Sequence, residues 1–213
     1  MAMIRKTMLA VLATATLLAG CAGGGSGAGL GGIGMYRLAE PRTHSVARDT
    51  MEVTPTIRWN RAYRGYSDIS EEENWTLNGP LLDNLTFIGG LRDNRPIVRF
   101  QRRSDWRQVP NFRSSMTPDE IASMVETYFR VRGGVVNFET RALQPRTFLG
   151  HPGFQFDYSR LGSDEVDRRG RAVAAVIDGR LYMILFDATR MHYFPTALPE
   201  VERIIESARL RQR

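Results

Sequence analysis

The spacing of apolar and polar positions divides this chain into two strand-rich segments with a helix between them. In the first segment, residues 51–59, 75–77, 84–88 and 97–101 are rich in strand-forming side chains. Asn-Gly-Pro and Gly-Gly separate several of these runs, and such sequences are typical of turns. Pro55 interrupts the first run, which favours an edge or bulged strand. The pattern therefore predicts a meander of short antiparallel strands.

A helix is predicted next, over residues 118–131. Thr117 stands at the N-cap position, Pro118 at the first helical position and Glu120 three residues beyond the cap, as in a capping box. Apolar side chains then recur at helical spacing as Ile121, Met124, Val125 and Tyr128. Gly133 and Gly134 follow, and they predict the end of the helix because glycine readily adopts a left-handed conformation.

Strand spacing returns at residues 135–143, 148–150, 153–161, 172–177 and 181–188. Asp178 and Gly179 separate the last two runs, and this dipeptide is typical of a tight hairpin. Both runs are apolar on both faces, which predicts that they lie in the middle of a sheet. A last amphipathic helix is predicted to begin at Pro199. Its apolar positions are Val201, Ile204, Ile205 and Ala208.

This order of elements predicts an α+β fold, with two main helices packed on a curved antiparallel sheet. Residues 150–154 read Gly-His-Pro-Gly-Phe, strand 181–188 follows the Asp178-Gly179 turn, and Phe194-Pro195 precedes the last helix. In these features residues 75–210 resemble the PsbP-like α/β/α sandwich proteins. The resemblance implies a non-catalytic binding or assembly role without a cofactor, since many members are extrinsic partners of larger complexes. No functional residue of that family has a clear counterpart here.

The amino-terminal residues have the pattern of a secretory signal. Arg5 and Lys6 precede an apolar run over residues 8–18, and small residues follow at Ala19 and Gly20. This run is too short to cross a bilayer core of about 30 Å as a helix. We therefore expect residues 1–20 to be a signal peptide.

Leu18, Ala19, Gly20 and Cys21 stand in the order of a lipobox, and the segment resembles that of bacterial lipoproteins. The resemblance implies cleavage before Cys21, a diacylglycerol on its sulfur and usually palmitate on its amino group. Two or three acyl chains hold a protein stably on a bilayer. Residue 22 is Ala and not Asp, which in that family favours the outer membrane, with the domain facing the periplasm. The alternative is a secreted protein in which Cys21 is a free thiol.

A glycine-rich segment follows the cysteine. Residues 22–34 contain eight glycines in thirteen positions, a composition that predicts a flexible tether with a reach of roughly 20 Å. Residues 36–48 are polar and lack periodicity. We therefore expect a signal peptide at 1–20, a lipidated tether at 21–49 and one α+β domain at 50–213.

Composition and charge exclude several kinds of site. The chain is 42% apolar and 24% charged, as is typical of a globular protein. Its single cysteine excludes an intramolecular disulfide and a thiolate-rich metal site. His44, His151 and His192 lack ligand spacing, and no Gly-x-Ser-x-Gly sequence occurs. We expect no metal, no cofactor and no catalysis. The alternative is a periplasm-facing hydrolase that uses His151 or His192 with a nearby carboxylate.

Charged residues offer one candidate surface. The formal net charge is +6, and arginine supplies every Lys/Arg position except Lys6. The acidic runs at 71–73 and 164–167 are predicted to be solvated loops. Arginines and aromatic residues alternate in two segments, with candidate residues Arg58, Trp59, Arg61, Tyr63, Arg64, Arg102, Arg103 and Trp106.

Because guanidinium groups form paired hydrogen bonds with anions and stack on aromatic rings, this set predicts a patch for an anionic glycan, a lipid head group or an envelope protein. Nucleic acid is not expected in that compartment. The alternative is that the aromatic rings fill the core while arginine stems cover its edges. Together these observations predict a lipid-anchored envelope lipoprotein with a non-catalytic binding or assembly domain.

Overall fold

An eight-stranded antiparallel sheet lies at the centre of the fold. The computed structural model describes residues 35–67, 69–98 and 109–211. Cys21, the glycine-rich segment, Arg102, Arg103 and Trp106 lie outside these residues, so the predictions that concern them stay predictions. No helix within the described ranges is both long and apolar enough to cross a bilayer.

The described elements follow one another along the chain as β1 (Tyr36–Ala39), β2 (His44–Val46), β3 (Met51–Val53), β4 (Trp59–Ala62), a 3₁₀ turn (Arg64–Tyr66), β5 (Glu72–Thr76), β6 (Asp83–Leu91), β7 (Arg95–Pro96), β8 (Asn111–Phe112), α1 (Pro118–Gly133), β9 (Asn137–Pro145), β10 (Phe154–Leu161), β11 (Asp167–Ile177), β12 (Arg180–Thr189), α2 (Tyr193–Ser207) and β13 (Arg209–Leu210).

The large sheet has the strand order β1-β4-β5-β6-β12-β11-β10-β9. Strands β4, β5 and β6 are consecutive neighbours in its first half, as in the predicted meander, but Met51–Val53 of the run 51–59 belongs to a separate three-stranded sheet. Residues 97 and 98 of the run 97–101 are not in a strand, and residues 99–101 lie outside the described residues. The β11–β12 hairpin lies in the middle, as predicted from its apolar faces. Asp178 and Gly179 both have positive φ, 48° and 70°, which is the conformation that a tight two-residue hairpin requires.

Each face of the large sheet is covered by a helix and a smaller sheet. Helix α2 and the three-stranded sheet β13-β3-β2 cover one face, with a core that includes Trp59, Trp75 and Phe186. Helix α1 and the β7–β8 region cover the other, with a core that includes Phe156 and Tyr158. The predicted α+β fold, with two helices packed on an antiparallel sheet, is confirmed.

Helix α1 begins as its sequence predicts. The Thr117 hydroxyl accepts a hydrogen bond from the Glu120 backbone N–H, and the Glu120 carboxylate accepts one from the Thr117 N–H. This capping box satisfies two of the backbone donors that a helix leaves free at its start. Gly134 ends the helix with a left-handed φ of 57°.

Helix α2 begins six residues earlier than predicted, at Tyr193 rather than Pro199. Pro195 lies in the first turn, where no intrahelical partner for its missing N–H exists. Pro199 lies inside the helix and removes one interior hydrogen bond, but the buried side chains of Phe194 and Ala197 hold the first turn on the sheet. Proline therefore did not mark the start of this helix.

The fold also begins earlier than expected. The compact unit runs from Gly34 to Arg213, whereas residue 50 was the expected start. Strand β1 pairs with β4, with Tyr36 opposite Ala62, and β2 pairs with β3. Strand β1 lies at the edge of the large sheet and β2 at the edge of the three-stranded sheet. These edge positions account for the absence of an apolar period in both strands.

The other edge of the large sheet is β9, which is exposed along most of its length. A bulge interrupts its pairing with β10 between Gln155 and Asp157. Ala142, the additional residue on the β9 side, has a positive φ of 51°, a conformation that residues other than glycine rarely adopt. The bulge makes this edge irregular, and Pro145 lacks a donor at its end.

Candidate functional site

Strand β5 carries two consecutive buried carboxylates, Glu72 and Glu73, which are 3% and 4% exposed. The acidic run at 71–73 was predicted to be a solvated loop, and that prediction is wrong for these two residues. Because side chains alternate along a strand, the two carboxylates point to opposite faces of the sheet. Each carboxylate forms an ion pair with an arginine from a different element.

Glu73 lies on the face that α2 and the small sheet cover. Its carboxylate accepts a hydrogen bond from Arg61 Nη2 on β4, with Nη2–Oε2 at 2.8 Å, and the Arg61 Nε lies 2.5 Å from Oε1 in the same ion pair. The indole N–H of Trp75 and the backbone N–H of Ala47 also donate to it, at 2.7 and 3.2 Å. Arg61 donates further to the Ser45 carbonyl. This cluster joins the small sheet to the large one.

Glu72 lies on the face that α1 covers. Arg132 of α1 donates to it at 2.6 Å and Asn74 at 2.5 Å. Arg132 also donates to the hydroxyl of Tyr128 one helical turn earlier. A pair of this kind compensates much of the cost of burying a carboxylate, and it ties the last turn of α1 to the sheet.

A groove of about 380 Å³ lies at the end of the sheet where Glu72 and Glu73 begin β5. Its lining residues are Arg48, Arg64, Ser67, Ile69, Ser70, Glu72 and Glu73. Arg48 and Arg64 are exposed, and Ile69 supplies an apolar wall. We call this feature the Arg48–Arg64 groove. Both of its acidic residues are already paired with arginines, and its exposed cations come from two different loops.

An unusual turn places Arg48 at the groove. Ala47, Arg48 and Asp49, between β2 and β3, have positive φ values of 49°, 59° and 60°. Three successive left-handed residues cost about 1–2 kcal/mol each. The Ala47 N–H bond to Glu73 and the Thr50 hydroxyl bond to the Ala47 carbonyl offset part of that cost.

The turn fits here because residue 89 on β6 is glycine. A Cβ at Gly89 would lie 2.0 Å from the Thr50 hydroxyl oxygen and 2.7 Å from the Ala47 Cβ. Any side chain would therefore push the β2–β3 turn off the sheet. Gly89 thus determines where Arg48 sits.

The structure separates the predicted arginine and aromatic residues into two groups. Trp59 is fully buried, and Arg61, 8% exposed, is held by Glu73. Arg58 and Arg64 are exposed and pair with Glu40 and Asp49, while Tyr63 is 46% exposed. Of the described members, only Arg58, Tyr63 and Arg64 remain available at the surface. That they bind an anion stays a prediction.

A second buried network crosses three strands. The Tyr158 ring on β10 lies over Gly170 on β11, and its hydroxyl donates to Asp187 on β12 at 3.2 Å. Arg160 binds the same carboxylate through two bonds of 2.8 and 2.5 Å. Burial and the neighbouring Asp187 charge raise the pKa of Tyr158 well above its ordinary value. The phenol is therefore a hydrogen-bond donor and not a base.

Helix α2 contributes carboxylates that hold it on the fold. Glu200, 3% exposed, accepts hydrogen bonds from the backbone N–H and hydroxyl of Thr56 and from Arg203. Burial acts to raise the pKa of Glu200, but these hydrogen bonds outweigh it and hold the pKa below its ordinary value. Glu202 pairs with Arg146 and Arg171 at 2.9 Å each.

The acidic run at 164–167 is solvated at Asp164, as predicted. The Asp164 side chain is 48% exposed, and its hydrogen bonds to Arg168 lower its pKa to about 2. Arg168 itself is buried and also donates to the Leu81 carbonyl. The ion pair between Asp164 and Arg168 therefore closes the turn between β10 and β11.

The two candidate histidines lie at opposite ends of the sheet. His151 bridges Phe148 just before β10 begins, beside the end that carries the Asp178-Gly179 turn. His192 follows the other end of β12 and precedes α2. Ten residues of strand separate these ends, a distance of about 30 Å. Among the described residues neither side chain has a carboxylate partner, and no group of acids and histidines has the arrangement of a metal site.

Sequence reasoning missed the Arg48–Arg64 groove. Arg48 lies in a stretch without periodicity, and no local pattern announces a turn of three left-handed non-glycine residues. The burial of Glu72 and Glu73 depends on Arg132 and Arg61, which are distant in sequence. Of the residues that line the groove, only Arg64 was a candidate binding residue in the sequence.

Comparison with known proteins supports the fold alone. The solution structure of cyanobacterial PsbP (CyanoP) from Synechocystis matches with a TM-score of 0.50 and 14% sequence identity, over 88% of this chain and 98% of that one. The PsbP-like fold expected from the sequence is therefore confirmed. No family model matches the chain, and no curated protein matches it either.

Proposed function

We propose that this protein is a lipid-anchored lipoprotein of the bacterial cell envelope whose domain binds or helps to assemble a partner and does not catalyse a reaction. The anchor is proposed from the order Leu18-Ala19-Gly20-Cys21. The signal peptide would end at Gly20, and acyl chains on Cys21 would hold the chain at the outer membrane, facing the periplasm.

One observation carries the binding role: the charged groups that the described fold buries are engaged in holding it together. The buried charged residues are Arg61, Glu72, Glu73, Asp83, Arg168, Asp187 and Glu200. Each has a hydrogen-bond or ion-pair partner within the described residues. A general acid or base needs a group free to exchange its proton with substrate, and these groups are occupied.

The surface proposed for the partner is the Arg48–Arg64 groove with the adjacent Tyr63. Tyr63 donates its backbone N–H to Met35, so the chain enters the fold directly beside the groove. An exposed aromatic ring next to exposed guanidinium groups is typical of recognition surfaces. Arg58 lies at the opposite end of β4 from Tyr63 and does not line the groove, and Arg102, Arg103 and Trp106 stay candidates outside the described residues.

Membrane fractionation tests the anchor. We expect the parent chain in the outer-membrane fraction, and mass spectrometry should find an acylated Cys21 at its amino terminus. The Cys21→Ser variant should move to the soluble or unprocessed fraction, because at least two acyl chains are needed for stable anchoring. Ser26→Ala, a change in the same segment, should leave the distribution unchanged. A Cys21→Ser variant that is processed and still held in the membrane would overturn the proposal.

A further inference from the structure

We propose that the Arg48–Arg64 groove is a binding site for an anionic group, a phosphate or a sugar carboxylate, held by the two guanidinium groups and the hydroxyls of Ser67 and Ser70. This inference rests on the proposed binding role and names the chemistry of its ligand. It does not depend on the acylation of Cys21.

The free guanidinium of Arg48 is the first support. Within the described ranges it makes no hydrogen bond or ion pair, although Glu72 and Glu73 also line the groove. Those carboxylates already accept from Arg61 and Arg132. Arg48 therefore adds a positive charge that the described fold does not use. A guanidinium presents a fork of donors that matches the paired oxygens of carboxylate and phosphate.

The backbone that holds Arg48 is the second support, and it is independent of the charge. The left-handed turn at residues 47–49 is sterically costly, and such strain persists only where the surroundings impose it. Here the surroundings are Gly89, which leaves room for the turn, and Glu73, which binds the Ala47 N–H. The fold thus maintains a costly conformation whose visible result is an arginine at a groove.

The groove has polar groups of the right kind around these cations. Ser67 and Ser70 carry hydroxyls, of which that of Ser70 donates to the Glu71 carboxylate at 2.7 Å, and Ile69 between them is buried and apolar. The volume, about 380 Å³, lies within the range of small-ligand sites. It is enough for a phosphate group or one acidic sugar ring.

Two neighbouring carboxylates compete with such a ligand: Glu71 accepts from the Ser70 hydroxyl, and Asp49 pairs with Arg64. Asp49 lies 3.3 Å from Arg64 and 3.6 Å from Arg211. Its side chain is 46% exposed, so an arriving anion can take its place on Arg64. Removing this carboxylate should strengthen anion binding, whereas a purely structural role for Arg64 predicts no such gain.

Thermal unfolding of the detergent-solubilised full chain tests the site, with inorganic phosphate and galacturonate as probes and galactose as the neutral control. All samples are held at one ionic strength with sodium chloride. A dissociation constant near 5 mM predicts that 50 mM of an anionic probe raises Tm by about 4 °C. Galactose should leave Tm unchanged. The probe with the larger shift identifies the ligand as phosphate or carboxylate.

Variants then locate the binding. Arg48→Ser and Arg64→Ser should each weaken the probe at least tenfold, and Asp49→Asn should tighten it about fivefold. Arg190→Ser is the matched control, since Arg190 is also an exposed, ion-paired arginine but does not line the groove. Its dissociation constant should stay within twofold of the parent value.

Three results would overturn the inference: no shift with either anion, an equal shift with galactose, or equal loss in the Arg190→Ser and Arg48→Ser variants. If Cys21 proves unacylated while the anion still binds, the anchor fails and the groove stands. If Cys21 is acylated and no anion binds, the reverse holds.

Discussion

At the scale of single residues, stability depends most on positions where a large side chain packs into the space that a glycine leaves on a neighbouring strand. Tyr158 reaches Asp187 only because Gly170 lies between them on the intervening strand. A Cβ at Gly170 would lie 2.0 Å from the Tyr158 ring carbon that bears the hydroxyl. The ring and its hydrogen bond therefore depend on this glycine.

We expect Gly170→Ala to lower the free energy of unfolding by about 2–4 kcal/mol, because it overpacks the ring and breaks the hydrogen bond to Asp187. Urea unfolding followed by tryptophan fluorescence measures this change. Gly65→Ala is the control, since a Cβ there meets nothing within 4 Å, and it should alter stability by less than about 1 kcal/mol. Equal effects of the two substitutions would contradict this account of Gly170.

The glycine also shows where sequence reasoning ends. Gly170 lies three residues after the acidic run at 164–167, which predicts only a solvated loop. The role of Gly170 follows from the register that places it opposite both Tyr158 and Asp187, and register between strands is not visible in a local pattern. The burial of Trp59 and Arg61 was likewise open in the sequence, where a surface patch and a packed edge remained alternatives.

At the scale of elements, local chemistry predicted α1 well and α2 only in part. The α1 start is encoded within four residues by its capping box, so it could be read directly. The α2 start depends on contacts of Phe194 and Ala197 with the sheet, which outweighed two prolines. Glu200 is a second such contact, because it fastens the middle of α2 to the loop at Thr56.

We expect the Glu200→Gln variant to lose about 1–3 kcal/mol of unfolding free energy at pH 7, since an amide replaces a carboxylate that accepts several hydrogen bonds. The folded-state pKa of Glu200 is lowered, so its contribution is fully present above the unfolded-state pKa of about 4.3. It is lost as pH falls through the folded-state pKa. The difference between parent and variant should therefore shrink below about pH 4.

Urea unfolding at pH 7, 5, 4 and 3 measures that difference. Glu206→Gln on the same helix is the control, because Glu206 is exposed and its substitution should change stability by less than about 0.5 kcal/mol. A Glu200→Gln deficit that stays constant down to pH 3 would show that the carboxylate charge is not what fastens α2.

At the scale of the whole molecule, Glu73 joins the small sheet to the large one. It receives donors from both, through Ala47 on one side and Arg61 and Trp75 on the other. Removing one partner of a buried ion pair leaves the other charge uncompensated. The two sheets should therefore loosen together when Glu73 is changed.

We expect Glu73→Gln to lower the free energy of unfolding by about 3–5 kcal/mol and to speed hydrogen exchange at the Ala47 N–H. Glu40→Gln removes an exposed ion pair with Arg58 and should cost no more than about 1 kcal/mol. Urea titration and amide exchange report both quantities. Slow exchange at Ala47 in the Glu73→Gln variant would mean that the small sheet is held by its apolar contacts alone.

The bulge at Ala142 affects how neighbouring copies associate if the chain is held on a membrane surface, as proposed here. Copies confined to a membrane plane collide edge to edge far more often than copies in free solution, and an exposed strand is a template for stacking one chain on the next. A single left-handed alanine and Pro145 spoil that template along β9. By this reasoning, crowding on a bilayer would leave anchored chains as separate molecules instead of seeding fibres.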